Sequence, residues 1–303
     1  MGFIEVLKAI LFGVVEGITE WLPISSTGHM IILEELLDVE SIYGAEFWQL
    51  FLVVIQLGAI LAVVVCFFNK LNPFFGKSLV FPQQKKSKEE KKGIWILWAK
   101  VIVACLPAAV VGLILDDILN RYLYNSITVS VTLIIYGIAF IALEIWNRER
   151  EFKVRDTGSL SWKTAFFIGC FQLLALIPGT SRSGVTILGA MLLLCNRETA
   201  SEFSFFLSIP VMLGASLFKM VKFFIDGNAI VLEQVLFLSI GCVVAFGISM
   251  LVIRFLMAFI RKHDFKPFGV YRIGLGVLLL ILFACGVMPV SYTHLRAHET
   301  SLH

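Results

Sequence analysis

Six apolar stretches of about twenty residues, at roughly 48–68, 94–115, 127–146, 203–225, 233–260 and 268–288, constrain this chain more than any other feature. Twenty residues of helix rise about 30 Å, the thickness of a bilayer's hydrocarbon core. No water is available there, so each stretch must satisfy its backbone internally, as helix. The whole sequence agrees, being 58% hydrophobic and 16% charged with a mean hydropathy of +0.89. The expected fold is an all-α polytopic membrane protein with one membrane domain over 1–288. Its net charge of +3, confined to loops, leaves nucleic acid out as a partner and membrane lipid as the surroundings.

Two further apolar regions, 3–37 and 164–195, are each interrupted by a polar loop. Neither half of either region is long enough to cross alone, so each pair is expected to enter the membrane and return as a re-entrant helical hairpin. Such hairpins are tolerated where protein or a wet cavity surrounds their tips.

Charge then sets orientation. Lys70, Lys77, Lys85, Lys86, Lys88, Lys91 and Lys92 fall in the loop 69–93; Arg148, Arg150, Lys153, Arg155 and Lys163 fall in 147–163; Arg261, Lys262 and Lys266 fall in the third basic turn. The positive-inside rule makes all three cytoplasmic. Asp38, Glu40 and Glu46, then Asp116 and Asp117, then Asp226 and Glu233, mark the opposite side.

A weak internal repeat fits this arrangement. Gly13-Val-Val-Glu16 before Leu22-Pro23 resembles Gly169-Cys-Phe-Gln172 before Ile177-Pro178, with one single-residue gap. Each half, about 1–146 and 164–288, reads as one hairpin followed by three spans. Three crossings per half force an inverted-topology repeat, with the hairpins entering from opposite sides and meeting at depth.

The chemistry lies at the two interruptions. The first runs Glu16-Gly-Ile-Thr-Glu20-Trp-Leu-Pro-Ile-Ser25-Ser26-Thr27-Gly28-His29. Glu16 and Glu20, four apart, share one face of a helix. Like charges in a low dielectric require a proton or a cation between them, and Mg²⁺ or Ca²⁺ would also bridge to phosphate. The alternative is a pair of backbone-bonded carboxylates in a polar seam. Pro23 ends the helix, and Ser25, Ser26 and Thr27 are placed to cap the next one. His29 follows them, where a hydrogen-bonded core histidine is the competing reading.

The second interruption is Pro178-Gly179-Thr180-Ser181-Arg182-Ser183-Gly184-Val185-Thr186, a Gly-rich turn expected to open a helix at Val185. Backbone N–H groups at such a start attract anions, and Arg182 adds a bidentate fork for phosphate oxygens. Ser181, Ser183 and Thr186 supply further donors, any of which could serve only as a cap. Lys100, Glu144, Lys219, Lys222, Arg254 and Arg272 lie nearer span ends and are read as snorkelling side chains. Cys66, Cys105, Cys170, Cys195, Cys242 and Cys285 lack metal-ligand spacing and are read as small hydrophobes. Glu5 ahead of Lys8, with no small-residue cleavage site before Glu16, argues against a cleaved signal peptide.

Both motifs, at this separation, resemble the signatures of bacterial undecaprenyl-diphosphate phosphatases of the bacitracin-resistance type, and the resemblance runs to about residue 288. It implies dephosphorylation of a polyprenyl diphosphate lipid, undecaprenyl diphosphate, to the monophosphate carrier of peptidoglycan assembly. It further implies six spans with two re-entrant hairpins in inverted repeat, in the bacterial cell (inner) membrane, with the site facing outside. The family's functional positions match Glu16, Glu20, Ser26 and His29 in the first motif and Ser181, Arg182 and Thr186 in the second. The nucleophile is left open between Ser26, His29 and water. A homodimer is compatible with the sequence without being required by it.

A second class of function shares this architecture. Inverted repeats with broken helices also characterise transporters and flippases of lipids or anions. Finally, Pro289-Val-Ser-Tyr-Thr-His-Leu-Arg-Ala-His-Glu-Thr300 abandons the apolar pattern and resembles a translated sequencing-library adapter. Residues 289–303 are therefore read as a non-native tail, with the native end of the chain missing.

Overall fold

The computed structural model describes residues 1–74, 86–123 and 125–286. The adapter-like segment 289–303, together with Lys77 and Lys85, lies outside them. Among the described residues the named elements are helical. They are α1 (Phe3–Thr19), α2 (Ser26–Leu37), the single turn α3 (Glu40–Tyr43), α4 (Ala45–Cys66), the single turn α5 (Phe68–Leu71) and α6 (Lys88–Leu123). There follow α7 (Ser126–Trp146), α8 (Trp162–Gln172), α9 (Arg182–Leu192), α10 (Arg197–Ile225), α11 (Leu232–Ile260) and α12 (Lys266–Ala284).

Six of these helices are long and apolar enough to cross a membrane: α4, the first part of α6, α7, α10, α11 and α12. They coincide with the six expected spans. Two boundaries move outward for local reasons. Nothing breaks α6 before Leu123, so Asp116 and Asp117 belong to helix rather than to a loop. Asn196 caps α10 by accepting from the Thr199 amide at 2.8 Å, which starts that helix at Arg197. In contrast, α8 and α9 have 11 residues each, a rise of about 16 Å, half of what a crossing needs.

Packing between the halves is reciprocal. α1 lies along α11 and α8 along α6, while α4 packs on both α11 and α10, α10 on α6, and α7 on α12. Glycines make the close approaches. A Cβ on Gly13 would stand 2.7 Å from the Gly241 carbonyl oxygen, and one on Gly169 would stand 2.1 Å from that of Ala104. These contacts draw both helix breaks into the interior. Trp21 is fully buried there with its ring edge-on to Phe205, centroids 5.2 Å apart.

Three of the residues expected to snorkel do not. Glu144 is buried and receives both Nε and Nη2 of Arg197, at 2.8 and 2.6 Å, and the Phe265 amide at 3.0 Å. Lys100 is buried, donating to the Gly158 carbonyl at 3.2 Å. Arg272 has no exposed surface at all. Glu144 finds donors, and Lys100 and Arg272 find carbonyl acceptors, within the protein, so their head groups need not travel to the interface. All six cysteines are free thiols, as expected.

Candidate active site

The two breaks have the same local geometry. α1 ends at Thr19, but Glu20 keeps helical dihedrals and donates its amide to the Glu16 carbonyl at 3.0 Å, so both carboxylates share a face. The chain then turns at Pro23 and re-enters helix at Ser26. Ser25, at φ +74°, accepts from the Gly28 amide at 3.5 Å. In the second break Ser181, at φ +70°, accepts from the Gly184 amide at 3.2 Å. The helix thus opens at Arg182, three residues before the expected Val185, because Ser181 is the cap. Left-handed backbone costs a non-glycine residue about 1–3 kcal/mol, and here it occurs at the same register in both breaks.

The tips meet. Glu20 is 5% exposed, and both its oxygens are engaged: Oε2 accepts from Ser26 Oγ at 2.8 Å and Oε1 from Arg182 Nη2 at 3.0 Å. Ser183 Oγ donates to the Glu20 carbonyl at 3.0 Å. Arg182 Nη1 reaches the Ser204 carbonyl at 3.0 Å, and Thr186 Oγ1 lies 2.6 Å from Ser204 Oγ. Two buried polar atoms in this cluster have no partner, Glu16 Oε1 and Arg182 Nε. A carboxylate oxygen and an N–H donor are therefore left available beside the Glu20–Arg182 pair.

A residue read from sequence as peripheral holds the tips together. From α12, Arg272 donates through Nη1 to the Pro23 carbonyl at 3.2 Å, and through Nη2 to those of Gly179 at 3.1 Å and Thr180 at 3.0 Å. Its Nε adds a bond to the Leu133 carbonyl at 3.5 Å. Broken helices expose carbonyls, and one planar cation satisfies several of them at once. Gly179, at φ +81°, is packed so tightly that a Cβ would meet Thr132 Oγ1 at 2.4 Å. Ser204 was likewise missed, being a small residue in an apolar span. Arg272 did carry a signal, since it is an arginine within an apolar span, but its place near the span's start gives the same pattern as a snorkelling side chain.

Not every expected residue joins the Glu20–Arg182 cluster. His29 bonds instead to the Ser25 carbonyl and to Tyr271. Thr27 is half-buried in the first turn of α2 and takes no part in the hydrogen bonds above. Ser181 acts as a cap and lies 3.3 Å from Ser183 Oγ. Among the described residues no three His, Cys, Asp or Glu side chains gather as a metal cage. The cation-binding capacity here is two carboxylates, with the free oxygen on Glu16. An apolar cavity of about 410 Å³ opens beside the second tip, between α7, α8 and α9, and includes Tyr136, Phe171, Val185 and Leu188.

Fold and site together define an integral membrane protein with a buried site where acid, hydroxyl and guanidinium groups converge, suited to phosphate chemistry. Residues 9–278 match the family model described as bacitracin resistance protein BacA, and the chain belongs to that family. It is 51% identical over 280 residues to an undecaprenyl-diphosphatase of Enterococcus faecalis, covering 92% of this chain and 98% of the relative. An undecaprenyl-diphosphatase of Streptococcus mutans is 52% identical over 292 residues, with 96% and 100% covered. One from Lactococcus lactis subsp. cremoris is 51% identical over 281 residues, with 92% and 98% covered.

Proposed function

We propose that this chain is an undecaprenyl-diphosphatase, converting undecaprenyl diphosphate to undecaprenyl phosphate and thereby supporting cell-wall assembly and bacitracin resistance. The observation that carries the reading is the union of Glu20, Ser26 and Arg182 from two separate helix breaks. The named relatives favour hydrolysis over transport.

In this reading Arg182 and the N-terminal amides of α9 hold the phosphates and offset the charge that builds during transfer. Ser25, Thr27, Gly179, Thr180, Ser181, Ser183, Gly184 and Thr186 shape and line that pocket. The Ser26 hydroxyl is aimed at Glu20, which is placed to take its proton as Ser26 or a held water attacks phosphorus. Glu16 and Glu20 are the residues that would hold Mg²⁺ or Ca²⁺, which supplies charge neutralisation on the diphosphate when bound. The unpartnered oxygen of Glu16 fits that role. Glu20 would have to share itself between the cation and Arg182.

The remaining architecture follows from the same reading. The pairs α1–α2 and α8–α9 are re-entrant hairpins, related by inverted repeat within one membrane domain. The shared cap geometry and reciprocal packing support that relation. The site opens to the outside of the bacterial cell membrane, and the prenyl tail follows the apolar cavity. Residues 289–303 are a non-native tail, and a homodimer would bury part of the lipid-facing surface. The test is inorganic phosphate release from undecaprenyl diphosphate by the purified, detergent-solubilised chain, with and without chelator. A transporter would release none.

A further inference from the structure

Arg182 is the first residue of α9, so its side chain springs from a turn whose N–H groups lack partners within the helix. One residue of α10 grips it at both ends. The Ser204 carbonyl accepts from Arg182 Nη1 at 3.0 Å, which holds the guanidinium. The Ser204 hydroxyl lies 2.6 Å from Thr186 Oγ1. Thr186 Oγ1 in turn donates to the Arg182 carbonyl at 2.9 Å, with the Ser183 carbonyl at 3.2 Å, which holds the root of the same side chain. Neither Ser204 nor Thr186 has any exposed surface.

The direction of the hydroxyl bonds follows from counting protons. Thr186 has one hydroxyl proton, and a carbonyl oxygen can only accept, so Ser204 donates to Thr186. In the opposite direction the Ser204 proton would be buried unbonded, since among the described residues Thr186 is the one partner of that hydroxyl. A closed ring results: Ser204 hydroxyl to Thr186, Thr186 to the Arg182 carbonyl, and the Arg182 guanidinium back to the Ser204 carbonyl. The frame behind it is firm. Ser216 Oγ ties α10 to the Val53 carbonyl of α4 at 3.0 Å. Phe205, next to Ser204, meets the ring of Trp21, next to Glu20. Consecutive residues of α10 thus brace both members of the Glu20–Arg182 pair.

We propose that Ser204 is a positioning residue for the reaction, its hydroxyl fixing Arg182 through Thr186 while its carbonyl fixes the guanidinium. The proposal rests on the phosphatase reading, in which Arg182 holds the phosphates, and requires no contact between Ser204 and substrate. A long, rotatable side chain stabilises developing charge best when it is already in place, because no reorganisation is then needed as the charge builds. The ring supplies that placement before substrate arrives. It also gives Thr186 a role distinct from phosphate contact, as the link between α10 and the first turn of α9.

Ser204→Ala deletes the hydroxyl and leaves the carbonyl. Its kcat is expected to fall roughly tenfold, less than the hundredfold that a misplacement of about 1 Å can cost, with KM within about twofold. Because Ser204 acts through Arg182, adding Ser204→Ala to Arg182→Ala should cost nothing more. Ser201→Ala is the control: its hydroxyl is buried on the same helix without a partner, so turnover should stay at the wild-type level. Near-normal kcat in Ser204→Ala would overturn the proposal. So would a loss that multiplies with that of Arg182→Ala, or an equal loss in Ser201→Ala, since either shows α10 disturbed rather than Arg182 displaced. If Ser204→Ala unfolds in detergent, Thr186→Val breaks the ring at its next link with the shape kept: a fall in kcat alone supports the ring and an unchanged kcat overturns it. A wild-type chain that releases no phosphate defeats the phosphatase reading and the positioning role with it, whereas an active wild type with an indifferent Ser204→Ala defeats the positioning role alone.

Discussion

Arg182 Nη2 stands 3.0 Å from Glu20 Oε1, although 162 residues separate the two in the chain. Arg182 is 11% exposed and Glu20 5%, so the pair is almost fully withdrawn from solvent. An ion pair in that setting is weak evidence for stability, because desolvation offsets much of the attraction. It persists here beside two unpartnered polar atoms, an arrangement better suited to receiving a charged ligand than to holding helices together.

Arg182→Ala should lower phosphate release by at least about a hundredfold, the usual consequence of removing one preorganised donor from a developing anion. Arg182→Lys retains the charge but not the planar fork, and an intermediate rate is expected. Turnover by purified variants with matched elution profiles checks this. A near-normal Arg182→Ala enzyme would take Arg182 out of the site.

Arg272 should behave differently. Arg272→Met strands the carbonyls of Pro23, Gly179 and Thr180, each buried orphan costing about 1–3 kcal/mol. Thermal unfolding in detergent should shift down together with activity, whereas Arg182→Lys should leave the midpoint nearly in place. An Arg272→Met protein of native stability would show that the tips hold themselves.

The cation role of the carboxylates predicts a graded response. Chelator should abolish wild-type activity, and Mg²⁺ or Ca²⁺ should restore it. Glu16→Gln should raise the half-saturating cation concentration at least about tenfold, roughly 1.4 kcal/mol of binding. Glu16→Gln with Glu20→Gln should lose the response altogether. Full activity in excess chelator would remove the metal from the mechanism.

Helix contacts give a prediction independent of chemistry. Gly169→Ala places a Cβ 2.1 Å from the Ala104 carbonyl and Gly58→Ala one 2.2 Å from that of Cys242, so each should destabilise by about 1–3 kcal/mol or more. Gly247→Ala, in the middle of α11 with no atom within 4 Å, should be neutral or gain up to about 1 kcal/mol from helix propensity. Unfolding midpoints in detergent rank the three. The opposite order would contradict the packing of α8 on α6.

The six spans were legible from sequence because the bilayer imposes one length and one composition on any helix that crosses it, and segments such as Ala45–Cys66 or Leu232–Ile260 satisfy both alone. The two breaks were legible for a related reason: Glu16, Glu20 and Arg182 have no place in hydrocarbon without a function or a partner. Sequence left the partners undetermined. That Arg182 turns to Glu20 depends on where α9 meets the end of α1, and that His29 faces Tyr271 and Arg272 bridges both breaks depends on where α12 packs. Apolar periodicity carries no record of such contacts. A buried arginine satisfied by carbonyls and one that snorkels to the interface have the same letters around them, and only the tertiary structure, by bringing the acceptors to it, decides between them.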